Sequence, residues 1–208
     1  MKWEDFVKKV GKLPVIDTKL LLTGVKDKVQ ISRWQKAGKL IQLKRGFYVL
    51  SETHRKVNLF EPHISFLLKK PSYVSLEKAL EYYGLIPEGV PVYTAVTSKR
   101  AAKFTSEAGV FTYRHIKQPL FWGYESVTVN SQTGFIAFPE KALLDLVYFH
   151  GIDISLNYLE GLRLQNVNKL NLGILLKFAG RFKSLGMMKA ASIIKKYIEQ
   201  NKRSEKQL

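Results

Sequence analysis

Apolar residues recur at helical spacing at Trp3, Phe6, Val7 and Val10, and Gly11 follows as a stop. Asp17 or Thr18 is placed to cap a second helix over 19–23, which Gly24 closes. A third helix is predicted over 28–37, ending at Gly38. At about 100° per residue Ile31 and Trp34 point one way with Gly38, while Val29, Ser32, Arg33 and Lys36 point the other. Leu40–Leu43 and Phe47–Leu50 then read as two short strands. They meet at Lys44-Arg45-Gly46, where the glycine supplies the positive φ of a tight turn. The polar run SETHRKVN, 51–58, has no period and reads as a linker.

Beyond the linker, Phe60, Ile64, Leu67 and Leu68 predict a short helix that stops before Pro71, and Ser75 is a good N-cap for LEKALEYYG. Four alternating runs rich in Val, Thr, Tyr and Phe follow, at 92–98, 109–116, 124–130 and 134–138, and argue an antiparallel sheet. Pro139 opens a helix whose core face is Leu143, Leu144, Val147 and Tyr148, and Gly151 ends it. Further helices are predicted over 155–165, 168–182 and 186–201, with a frayed tail after them. The fold class expected is α+β. Helix, helix, helix and hairpin over 1–52 have the order of a winged helix-turn-helix, and residues 57–208 form a larger domain with an antiparallel sheet and a helical C-terminal end.

Charge gives that order a partner. The 208 residues carry 34 Lys and Arg against 17 Asp and Glu, a net charge of +17. Residues 1–56 hold 14 of those bases and 5 of the acids, so the first quarter of the chain carries half of the excess. Such a balance selects a polyanion or an anionic surface as partner. In a winged helix-turn-helix the third helix enters the major groove and the hairpin lies beside it on the backbone. Arg33 is the expected base reader, because its planar fork matches guanine O6 and N7. Ser32 and Gln30 reach phosphate or base, and Lys28, Lys36, Lys39, Lys44 and Arg45 supply phosphate contacts. Lys99, Arg100 and Lys103 form a second basic cluster just after a strand, open between DNA, RNA, a protein partner and plain solvation.

Several chemistries are disfavoured. There is no cysteine, so disulfides and thiolate metal sites are excluded. The N-terminus has no apolar run of the signal-peptide kind, and no stretch approaches the roughly 18 apolar residues of a membrane span, so a cytoplasmic location is expected. Glu140 and Asp145 lie about 140° apart on one helix and do not share a face for a metal. Asp145 is expected to be exposed or locally paired. His54, His63, His115 and His150 have no ligand spacing, and neither a nucleophile elbow nor a glycine-rich phosphate loop occurs. Tyr82-Tyr83 and Phe121-Trp122 read as core anchors. No catalytic residue, metal or cofactor is expected, and the chain reads as a binding protein.

Four landmarks stand in a characteristic order: SRWQKAGKLIQLKRGFYVL, PSYVSLEKALEYYGLIPE, TAVTSKRAAKF and FIAFPEKALLDLVYF. Over about 17–150 the chain resembles the AbiEi antitoxins of bacterial type IV toxin–antitoxin systems, which act in abortive infection, a phage defence. The resemblance implies a transcriptional autorepressor that binds double-stranded DNA at inverted repeats in its own promoter. It also implies an antitoxin that counters a nucleotidyltransferase-like toxin encoded beside it, with no stable complex required. Carried onto this chain, the DNA role falls on Arg33, Lys36, Lys44 and Arg45. The alternative is a general nucleic-acid-binding accessory protein without operator specificity.

Overall fold

The sequence Phe47-Tyr48-Val49-Leu50 alternates, and that alternation decides how the two halves of the chain meet. The computed structural model describes residues 2–21 and 25–205. Its N-terminal part runs α1 (Trp3–Val10), β1 (Ile16–Asp17), α2 (Thr18–Leu21), α3 (Val25–Lys36), β2 (Leu40–Lys44) and β3 (Phe47–Leu50). The strands form a small antiparallel sheet in the order β1-β3-β2. On one face Leu40 and Leu50 pack with Phe6, Val10, Ile16, Ile31 and Trp34, closing a first core under α1 and α3. On the other face Leu43 and Val49 are buried with Ile64, Leu68, Ala95, Phe111 and Tyr113 of the second part. Both faces of the sheet are therefore covered, and residues 51–58 are no free tether. His54 is held by Ser51 Oγ at 2.8 Å from its Nδ1, and its ring meets Trp3 edge-on at 5.2 Å. The expected stop at Gly24, and the end of the second helix at Thr23, lie outside the described residues.

The second part begins with α4 (Glu61–Leu68), β4 (Tyr73–Val74) and α5 (Leu76–Tyr82). It continues through β5 (Val92–Thr97), β6 (Ala102–Ser106), β7 (Gly109–His115), β8 (Tyr124–Val129) and β9 (Gln132–Ala137). The helices α6 (Pro139–His150), α7 (Leu156–Gly161), α8 (Leu172–Arg181) and α9 (Leu185–Glu205) close the chain. The fold is α+β, but the six-stranded sheet, β6-β7-β5-β4-β9-β8, is mixed and not antiparallel. β5 runs parallel to β7 and β4 parallel to β9, whereas the other three neighbouring pairs are antiparallel. The reason is two strands that the pattern hides. β6 is a half-polar AKFTS run and β4 is only two residues long. Inserting β6 between β5 and β7 reverses the direction of the chain, so two runs that read as hairpin partners become parallel.

α4 and the small sheet lie against one face of the large sheet, and α5, α6 and the C-terminal helices against the other. α6 is buried all round, from Glu140 through Val147, and not on one face alone. Asp145 and Lys141 are both fully buried and pair with one another one turn apart on α6, so of the two expectations for Asp145 the local pairing holds and the exposure does not. Ser75 stands at the N-cap of α5, yet its hydroxyl makes no cap bond and donates to Asp145 instead. α9 runs to Glu205, four residues past its expected end. Among the described residues no helix is long and apolar enough to cross a membrane.

The packing of α4 on β9 is tight enough to predict a cost. A Cβ on Gly134 would lie 2.6 Å from the carbonyl carbon of Pro62 and 2.7 Å from the nitrogen of His63. These are backbone atoms, so α4 itself must move. Gly134→Ala should lower stability by about 1–3 kcal/mol, the usual range for overpacking, read as a drop in the urea midpoint at unchanged slope. An unchanged midpoint would show that α4 slides freely over β9.

Candidate nucleic-acid interface

The outer surface of α3 follows from its inner one. Ile31 is 4% and Trp34 8% exposed, and their side chains hold the helix on α1 and the small sheet. The Trp34 ring lies 4.7 Å from Phe6 and 5.1 Å from Trp3. The helical period then turns Lys28, Ser32, Arg33 and Lys36 outward, and all four are exposed, with Gln30 half-buried beside them. Among the described residues, none of Lys28, Arg33, Lys36 and Arg45 has an ion-pair partner. These charges are free to meet an anion.

Two grooves flank the helix. One, of about 600 Å3, is walled by Lys28 and Ile31 of α3, Thr18 and Lys19 of α2, and Arg45 and Tyr48 of the hairpin. Three cations thus come together from three elements. The turn is drawn to this place by Thr18, whose backbone N–H and hydroxyl both donate to the Gly46 carbonyl, at 2.9 and 3.0 Å. Asp17 takes the capping role, accepting from Lys19 N at 2.9 Å. The second groove, of about 500 Å3, runs between Ser32, Gln35 and Lys36 on one wall and Gln42, Ser106 and Glu107 on the others. Gln35 Nε2 donates to Gln42 Oε1 at 3.3 Å and ties helix to strand. Lys19, Gln35 and Gln42 are members of this surface that sequence reasoning missed. Only the return of the hairpin onto α2 brings Lys19 in, and no local pattern encodes that.

Two expected contacts are placed otherwise. Lys39 is half-buried with its Nζ 5.0 Å above the Trp3 ring, on the α1 side of the first core. Lys44 is not at the tip of the hairpin. The register slips between Gln42 and Lys44, so Lys44 pairs with Phe47 and faces the second part. Its Nζ donates to the Leu67 and Leu68 carbonyls, at 3.2 and 2.5 Å, and so caps the C-terminus of α4. Burial pushes its ammonium down. Asp17 draws it back up, and Lys70, Lys69 and Lys19 lower it further. Lys44→Met is therefore expected to cost stability, about 1–2 kcal/mol for charged hydrogen bonds at a partly exposed site. If this surface binds nucleic acid, Lys44→Met should leave the salt dependence of binding untouched, whereas Arg45→Ala should lower the salt slope by about one. Urea unfolding and a salt titration read the two effects; a fall in slope for Lys44→Met would return it to the contact set.

The neighbours of Lys44 extend the basic surface. Lys69 and Lys70 follow α4, and the Pro71 carbonyl accepts from Thr97 Oγ1 at 2.6 Å, next to the β5–β6 turn. Lys99 and Arg100 lie in that turn and Lys103 on β6, all three exposed. His115 is turned onto the same turn, its Nδ1 3.0 Å from the Lys99 carbonyl oxygen. Lys70, Lys69 and Lys19 all act on Lys44, and Thr97, which bonds the Pro71 carbonyl and accepts from Lys99 N at 3.2 Å, ties the end of α4 to the β5–β6 turn. Such an array suits a phosphate backbone, which carries a charge every few ångströms. Glu140 and Asp145 are engaged separately, the first accepting from Asn171 N at 2.7 Å and the second bound by Lys141, Tyr73 and Ser75. Among the described residues no three His, Asp or Glu side chains gather as a metal site. No family model matches the chain, and no curated protein matches it.

Proposed function

We propose that residues 2–50 form a winged helix-turn-helix that binds duplex DNA, and that the chain is a cytoplasmic transcriptional autorepressor and not an enzyme. One observation carries the reading. Helix, strand, two helices and a hairpin are ordered so that α3 turns Ser32, Arg33 and Lys36 outward, beside a groove that Lys19, Lys28 and Arg45 line. In this assignment α3 enters the major groove, Arg33 reads a base edge, and Lys28, Lys36 and Arg45 hold phosphates. The hairpin is short and folded onto α2, so it guides one backbone strand and does not reach far along the duplex. Lys69, Lys70 and Lys99 lengthen the phosphate track. The antitoxin role, against a nucleotidyltransferase-like toxin and without a stable complex, rests on the resemblance of residues 17–150 to AbiEi antitoxins.

Arg33→Ala should weaken binding to the native operator by about 1–3 kcal/mol and relax base preference at one position. Binding of operator and random duplexes, measured side by side across salt concentrations, checks both. Equal loss on the two duplexes removes Arg33 as a base reader. A specificity ratio near unity at physiological salt replaces the repressor by a general nucleic-acid-binding accessory protein. If a nucleotidyltransferase-like toxin is encoded beside this gene, co-expression with it tests the antitoxin role separately, by whether growth is restored.

A further inference from the structure

The start of α4 and the α5 helix enclose a cavity of about 400 Å3 that the DNA-binding reading leaves unused. Its floor is apolar, with Val74 and Ile136 both buried. Tyr82 and Tyr93 add ring surface, and Tyr82 is 49% exposed at the mouth. The charged groups are Glu61, Glu81 and Lys78. Size and lining are those of a small-molecule site: an apolar body with a few placed polar groups.

Lys78 shows what this place holds. Its Nζ lies 2.5 Å from Glu81 Oε2, 2.9 Å from the Val90 carbonyl and 4.6 Å above the Tyr93 ring. Carboxylate, carbonyl and ring face together make a seat for an ammonium. Lys78 and Glu81 satisfy one another, and the second oxygen of Glu81 accepts from Val90 N at 3.1 Å. Glu61 is then left over: among the described residues it has no ion-pair partner. Burial first, and the charge and hydrogen bond of Glu61 next, push the Tyr93 hydroxyl up to about 12, so the side chain that Glu61 meets here is a neutral hydroxyl and not a cation. In a chain of net charge +17, the unpaired carboxylate of this apolar, ring-lined cavity runs against the general field.

We propose that this cavity binds a small organic cation, an amine or guanidine with an aliphatic or aromatic body. The cation meets Glu61, and the body covers Val74 and Ile136 against the ring of Tyr82. The inference does not depend on DNA binding, since its test contains no nucleic acid.

Calorimetric titration of the full chain with tryptamine and with indole-3-propionate, at about 0.15 M salt to screen surface charge, separates the alternatives. The two probes share an indolylethyl body and differ in the head group, an ammonium in one and a carboxylate in the other. Tryptamine should bind at least about ten-fold tighter, the order of one charge-assisted hydrogen bond. Glu61→Gln keeps an acceptor for Tyr93 and should weaken tryptamine by a similar factor without weakening indole-3-propionate. Tyr82→Ala, at an exposed position, should weaken tryptamine in a chain whose circular dichroism is unchanged. Equal affinity for both probes, binding of neither, or tryptamine binding indifferent to Glu61→Gln overturns the proposal. An acetylated Gly-Arg-Gly amide that binds where tryptamine and agmatine do not also overturns it, assigning the site to a protein side chain.

Discussion

Asp145→Ala is expected to remove about 3–5 kcal/mol of stability, the cost of leaving a buried ion without its counterion. Asp145 and Lys141 have no exposed side-chain surface and stand one turn apart on α6. Asp145 Oδ1 takes the Lys141 ammonium, and Oδ2 accepts from Ser75 Oγ at 2.7 Å and Tyr73 Oη at 3.1 Å. Lys141 Nζ also donates to Tyr73 Oη at 3.0 Å and lies between 5.1 and 5.5 Å from the rings of Trp122, Phe182 and Tyr73. Burial pushes the Lys141 ammonium down and the Asp145 carboxyl up, and the charge of each holds the other back. Alanine at 145 strands an ammonium among rings and frees two hydroxyls that fasten β4 and α5 to α6. The pair is nonetheless weak evidence of net stabilisation, because an apolar pair of similar volume escapes the desolvation cost. Lys141→Met combined with Asp145→Leu should therefore recover the part of the loss that a stranded ion causes, but not the part that comes from the Ser75 and Tyr73 hydroxyls, which remain without Asp145. Urea unfolding of Lys141→Met, Asp145→Leu and the double gives the cycle, with Asp145→Ala measured beside it. A single-variant loss below about 1 kcal/mol would mean that water reaches the pair.

That pair also marks where the sequence stops being legible. Residues 139–150 announce a helix by proline, period and glycine, and the helix is there. Period alone gives α6 one buried face, but Asp145 is taken in by Tyr73 of β4 and Ser75 before α5, Lys141 by the same Tyr73 with Trp122 and Phe182, and Glu140 by Asn171 before α8. Long-range covering of this kind leaves no local trace. Around α3 the opposite holds. Ile31 and Trp34 inside with Ser32, Arg33 and Lys36 outside is a property of the 3.6-residue period, so it is readable in ten residues. Lys44 falls between the cases. Strand alternation continued past Gln42 keeps Lys44 on the α3 side at the tip of the turn, and a one-residue bulge carries it to the α4 side. Nothing in LIQLKRGFYVL states the bulge. Leu43 lies on the α4 side with Ile41 in either register, so what the bulge adds is the meeting of Lys44 with the two α4 carbonyls that receive its ammonium.

Trp34→Ala should cost about 3–5 kcal/mol, as large aromatic truncations in a core do, and the loss should be confined to the N-terminal part. Its indole is the largest side chain that α3 contributes to the first core, packed between Phe6 and Trp3. Ile31 alone then joins the described part of α3 to that core. The small sheet would stay in place, because its other face is held by Leu43 and Val49 in the shared cluster. Amide hydrogen exchange should consequently speed up in α1 and α3 and remain slow in β5, β7 and β9. On the proposed reading operator affinity should fall further for Trp34→Ala than for Arg33→Ala, although the indole faces away from the duplex. The angle of α3 determines whether Arg33, Lys36 and Lys28 reach the groove together, and an error of about 1 Å in such a constellation is expensive. Trp34→Phe keeps a ring against Phe6 and should restore much of both properties. Uniform acceleration of exchange through the large sheet would show that the two parts unfold as one unit. Operator affinity retained in a Trp34→Ala chain with a loosened α3 would remove that helix from the interface.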